Sequence, residues 1–320
     1  MCVGIKFLLA LRILITMPRP SLHSIGLVLV VAADLLWSTV FVASQIGLRY
    51  TNPYNLVFMR FLISAALILA IAVPFGSRIG IRKELTKWWT WGLGAVYAFG
   101  FLFQYMGQDL TSASDATLLS NLAPIMIPFL AVLLLGERLT AFHILATAIS
   151  FVGLYFVAGF NPSLGLASTL GYLLLLLTSF SYALFTVLNK KHELAALGSS
   201  LAIIIAITAI LAPFAIIFGG FGTAPLALPA EAWASVLYLA IPCTLVAIIL
   251  YLRGLAAISA SEAAFLFLLQ ILVGLLLSLI LLGEVLGPYQ VLGAALIVIG
   301  LLTGMAAKRR KTTDIALEQQ

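Results

Sequence analysis

Ten apolar runs of about 20 residues, each able to cross ~30 Å of hydrocarbon, divide this chain from end to end. They fall at 25–46, 54–75, 88–107, 114–135, 141–160, 168–189, 198–219, 233–253, 260–283 and 288–307. The breaks between them are short and rich in turn formers: Thr51-Asn52-Pro53, Gly76-Ser77-Arg78, Gly136-Glu137, Asn161-Pro162-Ser163 and Gly287-Pro288. The longest, from Gly219 to Glu231 with Gly222, Pro225 and Pro229, cannot hold a soluble domain. Charged residues make up 9% of the chain, against about 25% in soluble domains, and mean hydropathy is +1.19. The pattern predicts an all-α membrane protein of ten transmembrane helices. Two cysteines far apart, Cys2 and Cys243, imply neither a disulfide framework nor a metal site, and His23, His143 and His192 are scattered.

Lys and Arg favour the cytoplasmic side of a membrane. With the N-terminus inside, Lys6, Arg12, Arg19, Arg78, Arg82, Lys83, Lys87, Arg138, Lys190, Lys191, Arg253 and the tail Lys308-Arg309-Arg310-Lys311 all fall inside. Arg49 falls outside and Arg60 within a helix. Both termini are therefore expected in the cytoplasm, and the protein in the plasma (inner) membrane. Trp88, Trp89 and Trp91, beside a basic loop, read as interfacial anchors.

One stretch of the chain is written twice. Leu134-Leu135-Gly136-Glu137-Arg138-Leu139 returns as Leu281-Leu282-Gly283-Glu284-Val285-Leu286. In the same frame Ser112-Ala113-Ser114-Asp115-Ala116 aligns with Ser259-Ala260-Ser261-Glu262-Ala263, Gly107 with Gly254, and Gly153 with Gly300. Five helices make each half, at 25–160 and 168–307. An odd number flips the second copy in the membrane, so the expectation is two inverted five-helix repeats with the substrate site between them. Residues 1–24 read as an interfacial segment, or as an extension upstream of a start at Met17; residues 308–320 read as a basic tail on anionic lipid.

Four features resemble the EamA-type permeases of the drug/metabolite transporter superfamily. Leu36-Trp37-Ser38-Thr39-Val40-Phe41 is similar to the family's Trp-Gly-Ser-x-Phe stretch, with Ser38 in place of Gly. Arg60-Phe61 follows a Pro turn at Pro53. Helix four runs from Ser112-Ala113 through Pro124 to Gly136-Glu137-Arg138-Leu139. The second half repeats the pattern from Gly171-Tyr172 to Tyr182 and from Ser259 to Glu284. The resemblance spans residues 25–307. It implies alternating-access transport of small metabolites, amino acids among them, with export favoured and no bound cofactor.

Candidate site residues follow from polar groups set inside apolar helices. Asp34 lies well inside helix one, where a carboxylate needs water, a partner or a proton. It reads as a proton-coupling or amine-binding group, or as a structural hydrogen bond to a neighbouring helix. Trp37 shares its face and reads as a stacking platform or as a packing residue. Arg60 pairs with Asp34, binds a substrate carboxylate, or snorkels to the interface. Tyr97 and Gln104 on helix three, Asn121 beside Pro124 and Pro128 on helix four, Tyr182 at the position equivalent to Trp37, and Gln270 on helix nine complete the substrate-binding set. Ser179 stands where Asp34 would repeat.

Glu137, Glu284, Asp115 and Glu262 read instead as caps, each taking amides at the start of its own or the following helix. The expected partners are a small-molecule substrate, protons and membrane lipid; a homodimer is allowed, and nucleic acid is not expected. An intramembrane enzyme would need paired intramembrane Asp, a Gly-x-Ser-Gly with a His, or a His-Glu-x-x-His, and the sequence has none of these. A scaffold or sensor without transport remains the alternative in another class.

Overall fold

The computed structural model describes residues 22–136, 141–158, 166–192, 197–221, 228–255, 257 and 260–318. Among them the regular structure is helical throughout: α1 Leu22–Ser38, α2 Val40–Leu48, α3 Pro53–Ile79, α4 Ile81–Leu85, α5 Trp88–Asp109, α6 Ala113–Ser120, α7 Ala123–Leu135, α8 Ala141–Ala158, α9 Leu166–Lys191, α10 Leu197–Ile217, α11 Ala230–Ala240, a π-helical turn Ile241–Val246, α12 Ala247–Leu255, α13 Ala260–Leu282 and α14 Pro288–Glu318. Six spans are long and apolar enough to cross a membrane: Leu22–Leu48, Pro53–Ala70, Ala113–Leu135, Leu166–Asn189, Gly198–Ile217 and Ala230–Gly254. Ala141–Val157, Leu269–Leu282 and Pro288–Thr303 are apolar but shorter. The third apolar run forms α5, which spends its polar residues inside the fold. Gln108 donates to the Phe41 carbonyl (2.6 Å) and to Gln45 Oε1 (2.9 Å), and accepts from Ser44 Oγ (2.8 Å). The N-terminal segment to Ser21, and Glu137, lie outside the described residues, as does the Glu262 side chain.

Three of the expected helices are broken. At Thr39 the first pauses where Ser38 and Thr39 turn their hydroxyls back onto the carbonyls of Leu35 and Leu36, both at 2.7 Å, in competition with the helix ladder. Between α6 and α7 the fourth stops because Pro124 offers no amide and fits only the first turn of a new helix. The eighth widens into a π turn that begins beside Pro242, with Thr244 Oγ1 donating to the Leu239 carbonyl at 2.8 Å.

Helix backbones meet where the sequence places small residues, as expected when lipid supplies no hydrophobic drive between helices. A Cβ on Gly153 would sit 2.7 Å from the Gly293 carbonyl oxygen, and one on Gly300 would sit 2.8 Å from the Ala146 carbonyl oxygen. Helices α8 and α14 therefore run antiparallel in close contact. Likewise Gly107 meets the Gly171 carbonyl (2.9 Å), joining α5 to α9, and Gly254 meets the Gly26 carbonyl (2.7 Å), joining α12 to α1. In the repeat frame each of these contacts has its counterpart in the other half. Two cores result. One is built on Leu56, Phe61, Tyr105, Ile207 and Leu239. The other is built on Leu118, Leu119, Leu175, Ile271 and Ile297.

The duplicated Leu-Gly-Glu turns have a backbone cause. Gly136 and Gly283 both adopt left-handed conformations, with φ of +69° and +66°, which glycine takes without a steric penalty. The turn at Gly283 sends Glu284 to the start of α6, where its two oxygens accept from the amides of Ala113 (2.8 Å) and Ser114 (2.9 Å). The glutamate is a cap, but for a helix in the other half of the chain and not for the one that follows it. Asp115 departs from expectation too. Ser112 Oγ takes the Asp115 amide at 3.0 Å, which frees the aspartate to accept from Tyr172 OH (3.2 Å) and Gln290 Nε2 (3.4 Å).

Glu284→Ala is expected to lower stability by about 1–2 kcal/mol, the usual worth of a lost helix cap, read as an earlier thermal transition in detergent. Gly153→Val should destabilise by about 1–3 kcal/mol through overpacking, because the added side chain meets backbone that cannot yield. The same assay checks it, and Gly92→Val, where a Cβ meets nothing within 4 Å, is the control.

Candidate functional site

The start of α3 fixes where Arg60 goes. Asn52 Oδ1 accepts the Asn55 amide at 2.9 Å, capping the helix. Asn52 and Asn55 also donate to the Gly219 carbonyl at 3.0 and 2.7 Å, which ties this end to α10. Two turns on, Arg60 is 3% exposed, so it does not snorkel. Its Nε donates to Thr244 Oγ1 (2.9 Å) and one Nη to Tyr105 OH (3.1 Å). The guanidinium carbon lies 5.3 Å from the Phe61 ring and 5.1 Å from the Phe101 ring, a cation–π arrangement on two sides. Every one of these partners is neutral. The pairing of Arg60 with Asp34 considered from sequence does not form, because Arg60 points at α5 and the π turn while Asp34 faces α12 and α13.

Aromatic rings continue outward from Arg60. Tyr97 stacks on Phe185 with centroids 4.0 Å apart, and packs against Tyr182 (5.1 Å) and Phe101 (4.7 Å). Tyr182 donates its hydroxyl to Gln104 Oε1 at 2.5 Å. On the far side of the π turn, Trp37 Nε1 donates to the Cys243 carbonyl (3.0 Å), and its ring packs on Tyr251 at 5.2 Å. Cys243 and Thr244 are consecutive, so the π turn links Trp37 to Arg60. A π turn loosens the usual carbonyl ladder and often marks a functional position.

Five of the sequence-derived residues thus come together: Trp37, Arg60, Tyr97, Gln104 and Tyr182. Asp34 and Gln270 lie apart, on the seam between α1 and α13. Neither oxygen of Asp34, which is 0% exposed, has a hydrogen-bond partner among the described residues, nor has the buried Oε1 of Gln270. Asn121 belongs elsewhere: it ends α6 and donates to the Thr117 carbonyl at 2.7 Å. Sequence reasoning missed Tyr105, Thr244, Cys243 and Tyr251. Pro242 inside an apolar run was the available signal for the π turn. For Tyr251 it was its repeat equivalence to Gln104.

Chemically, the arrangement offers one buried positive charge walled by aromatic faces, with amide and hydroxyl groups at its edge. The charge itself is shut off from solvent, since Tyr105, Gln104 and Arg60 are all at most 3% exposed, while Trp37, Tyr97 and Tyr182 are half-buried. The family model for EamA-like transporters matches residues 24–159 and matches again over 169–304. The chain belongs to the EamA-like transporter family. It is an integral membrane protein of the drug/metabolite transporter superfamily, a family of transporters and not of enzymes. An uncharacterized transporter of Archaeoglobus fulgidus is 28% identical over 254 residues, covering 74% of this chain and 82% of that one. The uncharacterized transporter YyaM of Bacillus subtilis is 24% identical over 292 residues, covering 88% and 94%. The aromatic amino acid exporter YddG of Ancylobacter novellus is 27% identical over 143 residues, covering 45% and 48%. A protein solved by crystallography superposes with a TM-score of 0.62 at 21% identity, covering 92% of this chain and 99% of that one, which shows the shared fold.

Tyr182→Phe is expected to cost about 1–3 kcal/mol, because it leaves the Gln104 oxygen buried without its donor. The thermal transition in detergent measures it. Gln104→Leu combined with Tyr182→Phe should recover part of the loss, since removing both partners removes the orphaned acceptor.

Proposed function

We propose that this EamA-like protein is a secondary transporter that exports small carboxylate-bearing metabolites, amino acids and their analogues foremost, across the plasma membrane. The observation that carries this reading is Arg60, a guanidinium buried at 3% exposure whose hydrogen-bond partners are the hydroxyls of Thr244 and Tyr105. A charge held in hydrocarbon without a counter-charge is expensive. A substrate carboxylate is the natural complement, and the planar guanidinium binds one through paired hydrogen bonds. The rings of Trp37, Phe101, Tyr97 and Tyr182 suit an apolar or aromatic body attached to that carboxylate. The likeness to an aromatic amino acid exporter over part of the chain favours the same cargo class.

Alternating access by two inverted halves fits the same picture. The matched contacts of α5 with α9 and of α12 with α1, and the antiparallel packing of α8 on α14, support it. In this reading both termini lie in the cytoplasm, as the distribution of Lys and Arg favours. The enclosed cluster corresponds to a closed state, and Asp34 serves as the coupling group.

Purified protein in liposomes, offered a panel of radiolabelled amino acids and their decarboxylated amines, tests the reading. The acids should move and the amines should not. Arg60→Lys should slow uptake of the acids about tenfold or more, through loss of the bidentate geometry. Movement of no metabolite, or equal rates for wild type and Arg60→Lys, would sink the proposal.

A further inference from the structure

The seam between α1 and α13 brings two orphaned polar groups to one level. Val30 of α1 packs against Leu266 of α13. Eight residues further along both helices, a Cβ on Gly274 would sit 3.2 Å from the Ser38 carbonyl oxygen. The sequence separation is the same at the two contacts, so the helices run parallel and in register. That same separation pairs Asp34 with Gln270, midway between. Val30, Asp34 and Ser38 lie on one helical face, as do Leu266, Gln270 and Gly274.

Each of the two groups could satisfy the other. Asp34 is fully buried, and among the described residues neither of its oxygens is hydrogen-bonded and the buried Gln270 Oε1 has no donor. Two acceptors brought to one level repel unless a proton lies between them. An ionised carboxylate here could draw on the Gln270 amide N–H, but it would remain a charge without a counter-charge in an apolar setting. One proton answers both: the carboxyl O–H donates to the amide oxygen, and the pair becomes neutral and satisfied. A metal cation is a poor occupant, since it needs a shell of oxygen ligands and the residues packed on Val30 one turn away, Leu27, Leu266 and Tyr251, offer at most one oxygen.

The other half of the chain supplies an independent parallel. Ser179 stands at the position equivalent to Asp34, and its hydroxyl donates to the Leu119 carbonyl. Leu119 is the repeat equivalent of Leu266. At this position, then, the fold uses a donor directed at the neighbouring helix. Serine is a donor at any pH, whereas aspartate is one only when it carries a proton.

We propose that Asp34 and Gln270 share a single proton across the α1–α13 seam, and that this proton holds the seam closed until its release lets the two helices part. Gln270 is thereby reassigned from substrate binding to the coupling site. The titratable groups that face this part of α1 are Tyr251 of α12, close enough to feel the charge of Asp34, and Cys243 of the π turn, whose thiol donates to the Leu36 carbonyl at 3.3 Å. Arg253 is exposed at the end of α12.

Infrared spectroscopy of the full chain in lipid at neutral pH tests the shared proton without any substrate. Wild type should show a protonated-carboxyl stretching band that shifts in heavy water. Asp34→Asn should abolish it, and Gln270→Leu should move it to higher frequency, as expected when the acceptor is lost. A band unchanged in Asp34→Asn, or unmoved in Gln270→Leu, overturns the proposal; so does an ionised Asp34. Should Asp34→Asn fail to give monodisperse protein, the position of the band in Gln270→Leu decides alone. The transport arm, which rests on the reading above, uses an imposed pH gradient. Gradient-driven accumulation should fall about tenfold in Asp34→Asn, and accumulation in wild type that ignores the gradient overturns the coupling role. A protein that moves no metabolite sinks the transport reading, while the spectra still decide the proton.

Discussion

Hydrocarbon offers no hydrogen bonds, so every polar group in this fold has to find its partner in the protein. That constraint orders the structure. Breaks in the helices occur where side chains or neighbouring helices can take up what the backbone releases. The Leu119 carbonyl, at the break between α6 and α7, is met by Ser179. The Cys243 carbonyl, within the π turn, is met by Trp37. The amides that open α6 are met by Glu284 from across the molecule. The few groups left over are therefore informative. Arg60 keeps its charge among neutral partners, and Asp34 is the buried carboxylate with neither oxygen bonded among the described residues.

The two halves build similar geometry from different chemistry. Trp37 and Tyr251 meet ring to ring in one half-site. The equivalent positions, Tyr182 and Gln104, meet through a hydrogen bond in the other. Asp34 answers to Ser179, and the buried Arg60 answers to Ile207 in the 147-residue frame. Similar backbone in the two halves thus carries unlike side chains, as the proposed carboxylate-bearing cargo would call for.

Much of this was legible in the chain. Apolar runs give the helices because lipid sets their length. The repeated Leu-Gly-Glu marks turns because only glycine enters a left-handed conformation freely. Trp37, Arg60, Tyr97, Gln104 and Tyr182 stood out as polar or aromatic residues within apolar helices, and they meet in space. Tertiary partnerships were not legible. Nothing local says that Glu284 caps a helix about 170 residues away, or that Arg60 chooses Thr244 and Tyr105 over Asp34. Such choices depend on how helices cross, and small-residue contacts such as Gly153 on Gly293 set that crossing. The π turn was hidden for a similar reason, since Pro242 permits a break without specifying its form.

That turn has a mechanical consequence. A π turn accommodates one residue more than an α turn of similar rise, so the eighth helix carries slack at Ile241–Val246. Drawing the slack out would rotate the flanking segments relative to each other by about 100°, the angle of a single α-helical residue. Cys243 would then swing away from Trp37 in the same motion that takes Thr244 from Arg60. Two grips on the walls of the cluster thus share one short stretch of backbone.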